Sequence, residues 1–221
     1  MAVRRKRKTR PITAGVAAHA QILDAAEALF YLEGARNVGI EAVVKRAGVN
    51  KMSLYRQFES KEDLLRHYLL RTDQRFWAYF EASIDKHPGA PRLQLSQFFV
   101  DLAQRASAPS YRGCPFVNVA VEFPDRSHLA RRMVADNKTR LHQRLTELAN
   151  AAGAREASSL AKSLALLMEG AYAASQTHSP DSTVMTALPI TAELLIDAAM
   201  PERARPRRRA AGRSRKRKIR P

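Results

Sequence analysis

The run from Ile40 to Phe58, Ile-Glu-Ala-Val-Val-Lys-Arg-Ala-Gly-Val-Asn-Lys-Met-Ser-Leu-Tyr-Arg-Gln-Phe, constrains this chain more than any other, because it reads as two short helices set across a tight turn. The first helix carries Ile40, Val43, Val44 and Ala47 on one side. Gly48 then supplies a residue free to take positive φ just past the helix end, and Val49 is placed to plug the corner. Asn50 is a side-chain cap for a second helix, over about residues 51 to 58, that turns Leu54 and Phe58 inward at a spacing of four. Lys51, Ser53, Arg56 and Gln57 are left outward, as donors suited to phosphates and base edges. Taken alone, the run also fits two helices meeting at a glycine in any α-helical domain.

The flanks narrow the choice. Ile22, Leu23, Ala26, Leu29 and Phe30 recur at helical spacing and stop at Gly34. Ser60-Lys61-Glu62-Asp63 opens a further helix with a hydroxyl cap and acids in its first turn, where the helix dipole favours them. The set Ile22-Leu23-Asp24-Ala25-Ala26, Leu29-Phe30, Gly34, Ala47-Gly48-Val49, Ser53-Leu54-Tyr55, Phe58 and Ser60-Lys61-Glu62 resembles the DNA-binding domain of the tetracycline-repressor (TetR/AcrR) family, over about residues 16 to 76. The resemblance implies an all-α homodimer, with an N-terminal helix-turn-helix DNA-binding domain followed by a helical ligand-binding and dimerisation domain. Its two recognition helices would enter successive major grooves of double-stranded DNA. Carried over by position, it implies Lys51, Ser53 and Arg56 near bases or backbone, with Tyr55 and Lys61 on phosphates; Asn50, Met52 and Gln57 of the same turn and helix complete the candidate DNA-binding set. Two positions depart from the family. Gly39 stands where a Ser or Thr often binds phosphate, leaving only a backbone amide there. Met52 stands where a small residue is frequent, and its thioether is suited either to a thymine methyl or to inward packing.

The formal charge of +17 is concentrated at the ends. Residues 1–15 hold six basic side chains and residues 201–221 hold eleven against Glu202, so the tails carry +16 and the body about +1. Like-charge blocks resist collapse, and both ends read as disordered basic arms for nucleic acid, with a merely solubilising C-terminal tail as the alternative. A secretory reading of Arg4-Arg5-Lys6 followed by residues 12–20 fails on Thr13, Gly15 and His19 in the apolar stretch. No stretch approaches the roughly 20 apolar residues of a membrane span, and a cytoplasmic protein with no membrane partner is expected.

Enzyme classes find no motif. The one cysteine, Cys114, excludes an internal disulfide or a cysteine-rich zinc site, and the six histidines form no HExxH pattern. Phosphate-binding GxxxxGK[ST], GxSxG and GxGxxG are absent, so neither a cofactor nor a metal is called for.

Beyond residue 61 the sequence divides into helical segments at about 61–85, 92–107, 115–123, 127–151, 155–177 and 182–199, with a kink expected at Pro189. The last two segments, carrying Leu160, Leu164, Leu167, Met168, Ala171 and Tyr172, then Leu188, Leu194, Leu195 and Ile196, look like the family's four-helix dimer interface; core packing within a subunit is the alternative. An unidentified small-molecule effector is expected among large apolar side chains that include Trp77, Phe80, Phe98, Phe116, Met168 and Tyr172, most of which a helical core would need in any case. Cys114, Asn118 and Glu122 fall at i, i+4 and i+8, a polar stripe that either faces water or lines the polar end of a pocket. Cys114 also precedes Pro115 at a helix start, where the dipole favours a thiolate, against the plainer reading of a buried inert thiol. The domain reading is therefore a basic arm (1–15), a DNA-binding domain (16–76), an effector and dimerisation domain (77–200) and a basic tail (201–221). The function that follows is a sequence-specific regulator released from a palindromic operator by a ligand, with an architectural, weakly specific nucleic-acid binder as the alternative.

Overall fold

The computed structural model describes residues 12–178 and 183–201, which are helical throughout apart from short connections. The two basic tails expected as nucleic-acid arms lie outside the described residues, save Pro201 and the start of the first helix.

Helix α1 (Ile12–Glu33) buries Ile22, Ala26, Leu29 and Phe30 and ends where Gly34, at φ 92°, takes the left-handed conformation that a side chain would oppose. Helix α2 (Ile40–Ala47) stops at Gly48, also left-handed at φ 65°, whose neighbour Val49 donates back to the Val44 carbonyl at 3.1 Å. Helix α3 (Lys51–Tyr55) is capped by the Asn50 side chain, which accepts from the Ser53 N–H at 2.9 Å. The helix expected to run to residue 58 is regular only to Tyr55. A tighter turn follows, in which the Gln57 and Phe58 N–H groups share the Leu54 carbonyl at 2.8 and 2.9 Å. Leu54 and Phe58 nevertheless sit in the core as their spacing requires.

Helix α4 (Lys61–Ile84), capped by Ser60 through the Asp63 N–H at 3.0 Å, leaves this unit and runs into the second. Arg71 of α4 ties it to α1 through Asp24 at 2.6 Å and Glu27 at 2.5 Å. The second unit comprises α5 (Pro91–Ala106), α6 (Pro115–Glu122), α7 (Leu129–Ala151), α8 (Ala157–Thr177) and α9 (Ala187–Ala199). In it α7 packs on α8, and α5 on both α7 and α9.

The final helix departs from expectation. A single 3-10 turn, Val184–Thr186, leads into α9, so Pro189 lies in the first helical turn, where its missing N–H has no acceptor to lose, and no kink is needed. Most side chains expected at a dimer interface are spent within the subunit: Leu160, Leu164, Met168, Ala171, Tyr172, Leu188 and Ile196 are all buried core. What α8 and α9 leave outside is Leu166 at 74%, Ile190 at 62% and Leu194 at 65% exposure, with open space over Gly170. Among the described residues no helix is long and apolar enough to cross a membrane, and no group of three or more His, Cys, Asp or Glu is placed to hold a metal.

Candidate nucleic-acid interface and ligand cavity

The outer face of α3 is unusual in what it shows to solvent. Met52 is 64% and Tyr55 46% exposed, and Lys51 and Arg56 are exposed beside them. Large apolar groups left in water cost free energy, so a paired Met and Tyr among cations fits a surface that another molecule covers. Met52 thus does not pack inward. Arg56 has no ion-pair partner among the described residues. Lys51 has one: its ammonium sits 2.7 Å from Glu41 of α2, which raises the lysine's pKa and lowers the carboxylate's. Ser53 and Gln57 are half-buried, and Asn50 is exposed with its side chain committed to the cap. Gly39, in extended conformation before α2, is exposed and has no side-chain cap. Lys61 reaches back to donate to the Arg36 carbonyl at 2.9 Å, and partial burial lowers its pKa.

A cavity of about 710 Å³ opens between α1, α4, α5, α6 and α8. Its walls are Asp24, Glu27, Ala28, Tyr31 and Leu32 of α1, Tyr68, Thr72, Arg75, Phe76 and Tyr79 of α4, Leu102 and Arg105 of α5, Ser110 and Tyr111 of the following loop, Cys114 through Phe116, and Tyr172. The volume falls within the range that holds a drug-sized ligand. Of the nine side chains expected around an effector, Cys114, Phe116 and Tyr172 line it. The other six do not. Phe80 and Phe98 are core, with ring centroids 4.8 Å apart, and Met168 is fully buried. Trp77 faces α7, donating to Asp73 at 3.2 Å under the guanidinium of Arg140, 4.8 Å from its ring.

Asn118 and Glu122 do not line the cavity; both are half-buried, because the stripe they form docks on the N-terminal helical unit. Glu122 accepts from the Arg36 N–H at 2.6 Å, and the Arg36 guanidinium donates to the Glu122 carbonyl at 3.3 Å. Asn118 holds the Arg112 carbonyl at 2.9 Å. Arg112 in turn caps the end of α1, its guanidinium donating to the Tyr31 carbonyl at 2.7 Å and to that of Leu32. Tyr31 closes the contact, accepting from the Arg112 N–H at 2.6 Å and donating to the Gly113 carbonyl at 3.2 Å. Gly113 has to be glycine: φ is 70°, and a Cβ would lie 2.4 Å from Gln176 and 3.2 Å from the Tyr172 carbonyl.

Cys114 is 6% exposed, and burial pushes its thiol pKa up, so the thiol stays protonated and the thiolate reading is not supported. Desolvation likewise raises the phenol pKa of Tyr31, Tyr68, Tyr79, Tyr111 and Tyr172, which keeps all five neutral. Sequence reasoning missed most of the cavity, since its aromatic walls are tyrosines drawn from α1, α4 and the α5–α6 loop. A cluster of tyrosines with no strand to place them in was the available signal.

Comparison with known proteins agrees with this architecture. Residues 22–68 match a profile of bacterial regulatory proteins of the tetR family, and residues 89–190 match a tetracyclin repressor-like C-terminal domain. A TetR-family transcriptional regulator from Streptomyces coelicolor superposes with a TM-score of 0.80 at 28% identity, covering 84% of this chain and 97% of that one. A protein assigned as a TetR transcriptional regulator from Streptomyces avermitilis superposes with a TM-score of 0.71 at 32% identity, covering 82% and 97%. An uncharacterised HTH-type transcriptional regulator of Mycobacterium tuberculosis is 40% identical over 55 residues, which is 25% of this chain; the match spans only 27% of that relative's length.

Proposed function

Since the chain belongs to the TetR family of DNA-binding transcriptional regulators, we propose that it is a homodimeric repressor of a palindromic operator, released when a small molecule enters the cavity behind α1. The observation that carries this reading is that one wall of the cavity is α1, a helix of the DNA-binding unit, while the opposite walls belong to the helical unit. A molecule lodged there is in direct contact with both. Residues 16–76 act as the DNA-binding domain and 77–200 as the effector and dimerisation domain, working in the cytoplasm.

On the DNA side, Arg56, Lys51, Met52 and Tyr55 meet bases or backbone, with Asn50, Ser53 and Gln57 behind them and the Gly39 amide and Lys61 on phosphates. The two α3 helices of a dimer must sit about 34 to 36 Å apart to reach successive major grooves. The exposed Leu166, Gly170, Ile190 and Leu194 form the dimer seam. Helix α4 is 24 residues long, about 36 Å at 1.5 Å per residue, so a tilt of roughly 5° shifts its DNA-proximal end by about 3 Å. That displacement matches a hydrogen-bond length and is enough to spoil the half-site spacing.

Genome-wide footprinting of the bound protein, followed by a ligand screen against the strongest site, tests the reading. A preference of on the order of 10³ or more over random DNA is expected. Uniform affinity for all sequences would identify an architectural binder instead. Once an inducer is found, saturating operator must weaken its binding by the factor by which it weakens operator binding, with a coupling of about 1 to 3 kcal/mol. An inducer indifferent to operator refutes the release mechanism.

A further inference from the structure

We infer that the cavity is built for a planar aromatic anion, an aromatic carboxylate or its equivalent, with Arg105 as the anchor for the negative charge. The inference rests on the reading of this cavity as the effector site. Four charged side chains reach the cavity wall: Asp24, Glu27, Arg75 and Arg105. Three of them are already neutralised within the protein. Asp24 pairs with Arg71, while Glu27 is shared between Arg71 and Arg75. Arg105 alone has no carboxylate among the described residues; its guanidinium lies instead over two phenol rings, 4.8 Å from the centroid of Tyr79 and 5.9 Å from that of Tyr111. The wall therefore carries one uncompensated positive charge.

The rest of the lining suits a flat ring. Tyr79, Tyr111, Phe76, Phe116 and Tyr172 offer aromatic faces and edges to an intruding π-system. The tyrosines also remain neutral O–H donors rather than phenolates that would repel an anion. A carboxylate at this wall meets the planar, permanently charged fork of Arg105. A cationic aromatic would meet the opposite situation, because Arg105 already occupies two of the ring faces a cation would seek and would repel it.

The test uses the full-length protein and two probes of nearly identical shape, biphenyl-4-carboxylate and biphenyl-4-carboxamide, titrated calorimetrically at about 0.15 M salt so that remote charges are screened. The carboxylate should bind about tenfold or more tighter than the amide. Arg105→Gln should abolish that preference while leaving amide affinity within about twofold, and Arg105→Lys should retain part of it. Because Arg105 is exposed, both variants should keep the parent melting temperature, which separates loss of the anchor from loss of the fold. Equal binding of acid and amide, an acid preference that survives in Arg105→Gln, or no binding of either probe overturns the inference. Operator release is measured alongside. An amide that binds as well as the acid and still releases operator refutes the anion while sparing ligand release, whereas an Arg105-dependent acid that leaves operator binding untouched does the reverse.

Discussion

Glu122, the last residue of α6, accepts a 2.6 Å hydrogen bond from the backbone N–H of Arg36, 86 residues earlier in the loop before α2. The residue at the other end of α6 is Cys114, which precedes its first turn without a side-chain cap and lines the cavity. One eight-residue helix thus touches the cavity at its start and the DNA-binding unit at its finish. Glu122→Ala and Arg112→Ala should loosen this link. Each is expected to destabilise the fold by about 1 to 3 kcal/mol, since charge-assisted bonds to backbone are lost at partly exposed sites. If the link transmits ligand binding, each should also reduce the factor by which inducer weakens operator binding, read by fluorescence anisotropy with and without inducer; an unchanged factor would place the transmission in α4 alone.

Arg56→Ala should weaken binding to the operator by about 1 to 3 kcal/mol and binding to random DNA by less, if the exposed, unpaired guanidinium on α3 reads base edges as proposed. Competition assays at one salt concentration give both numbers. Equal losses would make Arg56 a phosphate anchor.

Glu41→Gln acts in the opposite direction. Glu41 holds Lys51 in an exposed pair at 2.7 Å and puts a negative charge on the face proposed for DNA. Removing it frees one cation, so DNA affinity should rise and the slope of log affinity against log salt should steepen by up to about one. A slope that stays the same would mean that Lys51 does not reach a phosphate.

Alkaline pH should unfold the protein earlier than its helices alone would suggest. Burial raises the pKa of the Cys114 thiol and of the tyrosine phenols. In the unfolded chain these groups lose protons from about pH 8.5 for cysteine and about pH 10 for tyrosine, while the folded state still holds them. The unfolded state then binds fewer protons, and stability falls with rising pH, by up to about 1.4 kcal/mol per pH unit for each fully buried group such as Tyr68 or Tyr172. Melting curves between pH 8 and 11 should show the midpoint dropping slowly and then steeply. Tyr172→Phe should flatten the upper part of that decline.

Leu194→Glu should split the proposed dimer, since it puts a charge into the exposed apolar patch on α8 and α9 proposed as its seam. Analytical ultracentrifugation of the variant is expected to give a monomer with unchanged helix content. A persistent dimer would place the seam elsewhere.

The two short helices and their caps were legible because every determinant is local. Gly34 and Gly48 end helices through their own φ, Asn50 and Ser60 cap within three residues, and Leu54 and Phe58 point inward by spacing alone. The cavity was not legible, because it is assembled from five helices whose adjacency no spacing records. Trp77 and Tyr79 sit two residues apart on α4, yet one packs toward α7 and the other faces the cavity. Size and hydrophobicity pointed to Trp77, Phe80, Phe98 and Met168, and those properties also fill a core. The polar stripe on α6 was recognised as a face, but its partner, the Arg36 amide, is a backbone group that no side-chain pattern reveals.

The shared wall at α1 bears on how such a protein can change. Tyr31 and Glu27 both line the cavity, and both also hold α1 in place, through Gly113 and through Arg71. A substitution there that suits a new ligand would disturb the seating of the DNA-binding unit even when the cavity is empty. Ala108 and Ser110, exposed in the loop after α5, have no side-chain bond to α1 among the described contacts, whereas Leu102 is spent on the core. If the cavity is the effector site proposed above, divergence toward new ligands has its freest path through those two loop positions, whereas variation at the α1 wall also alters how the DNA-binding unit is seated.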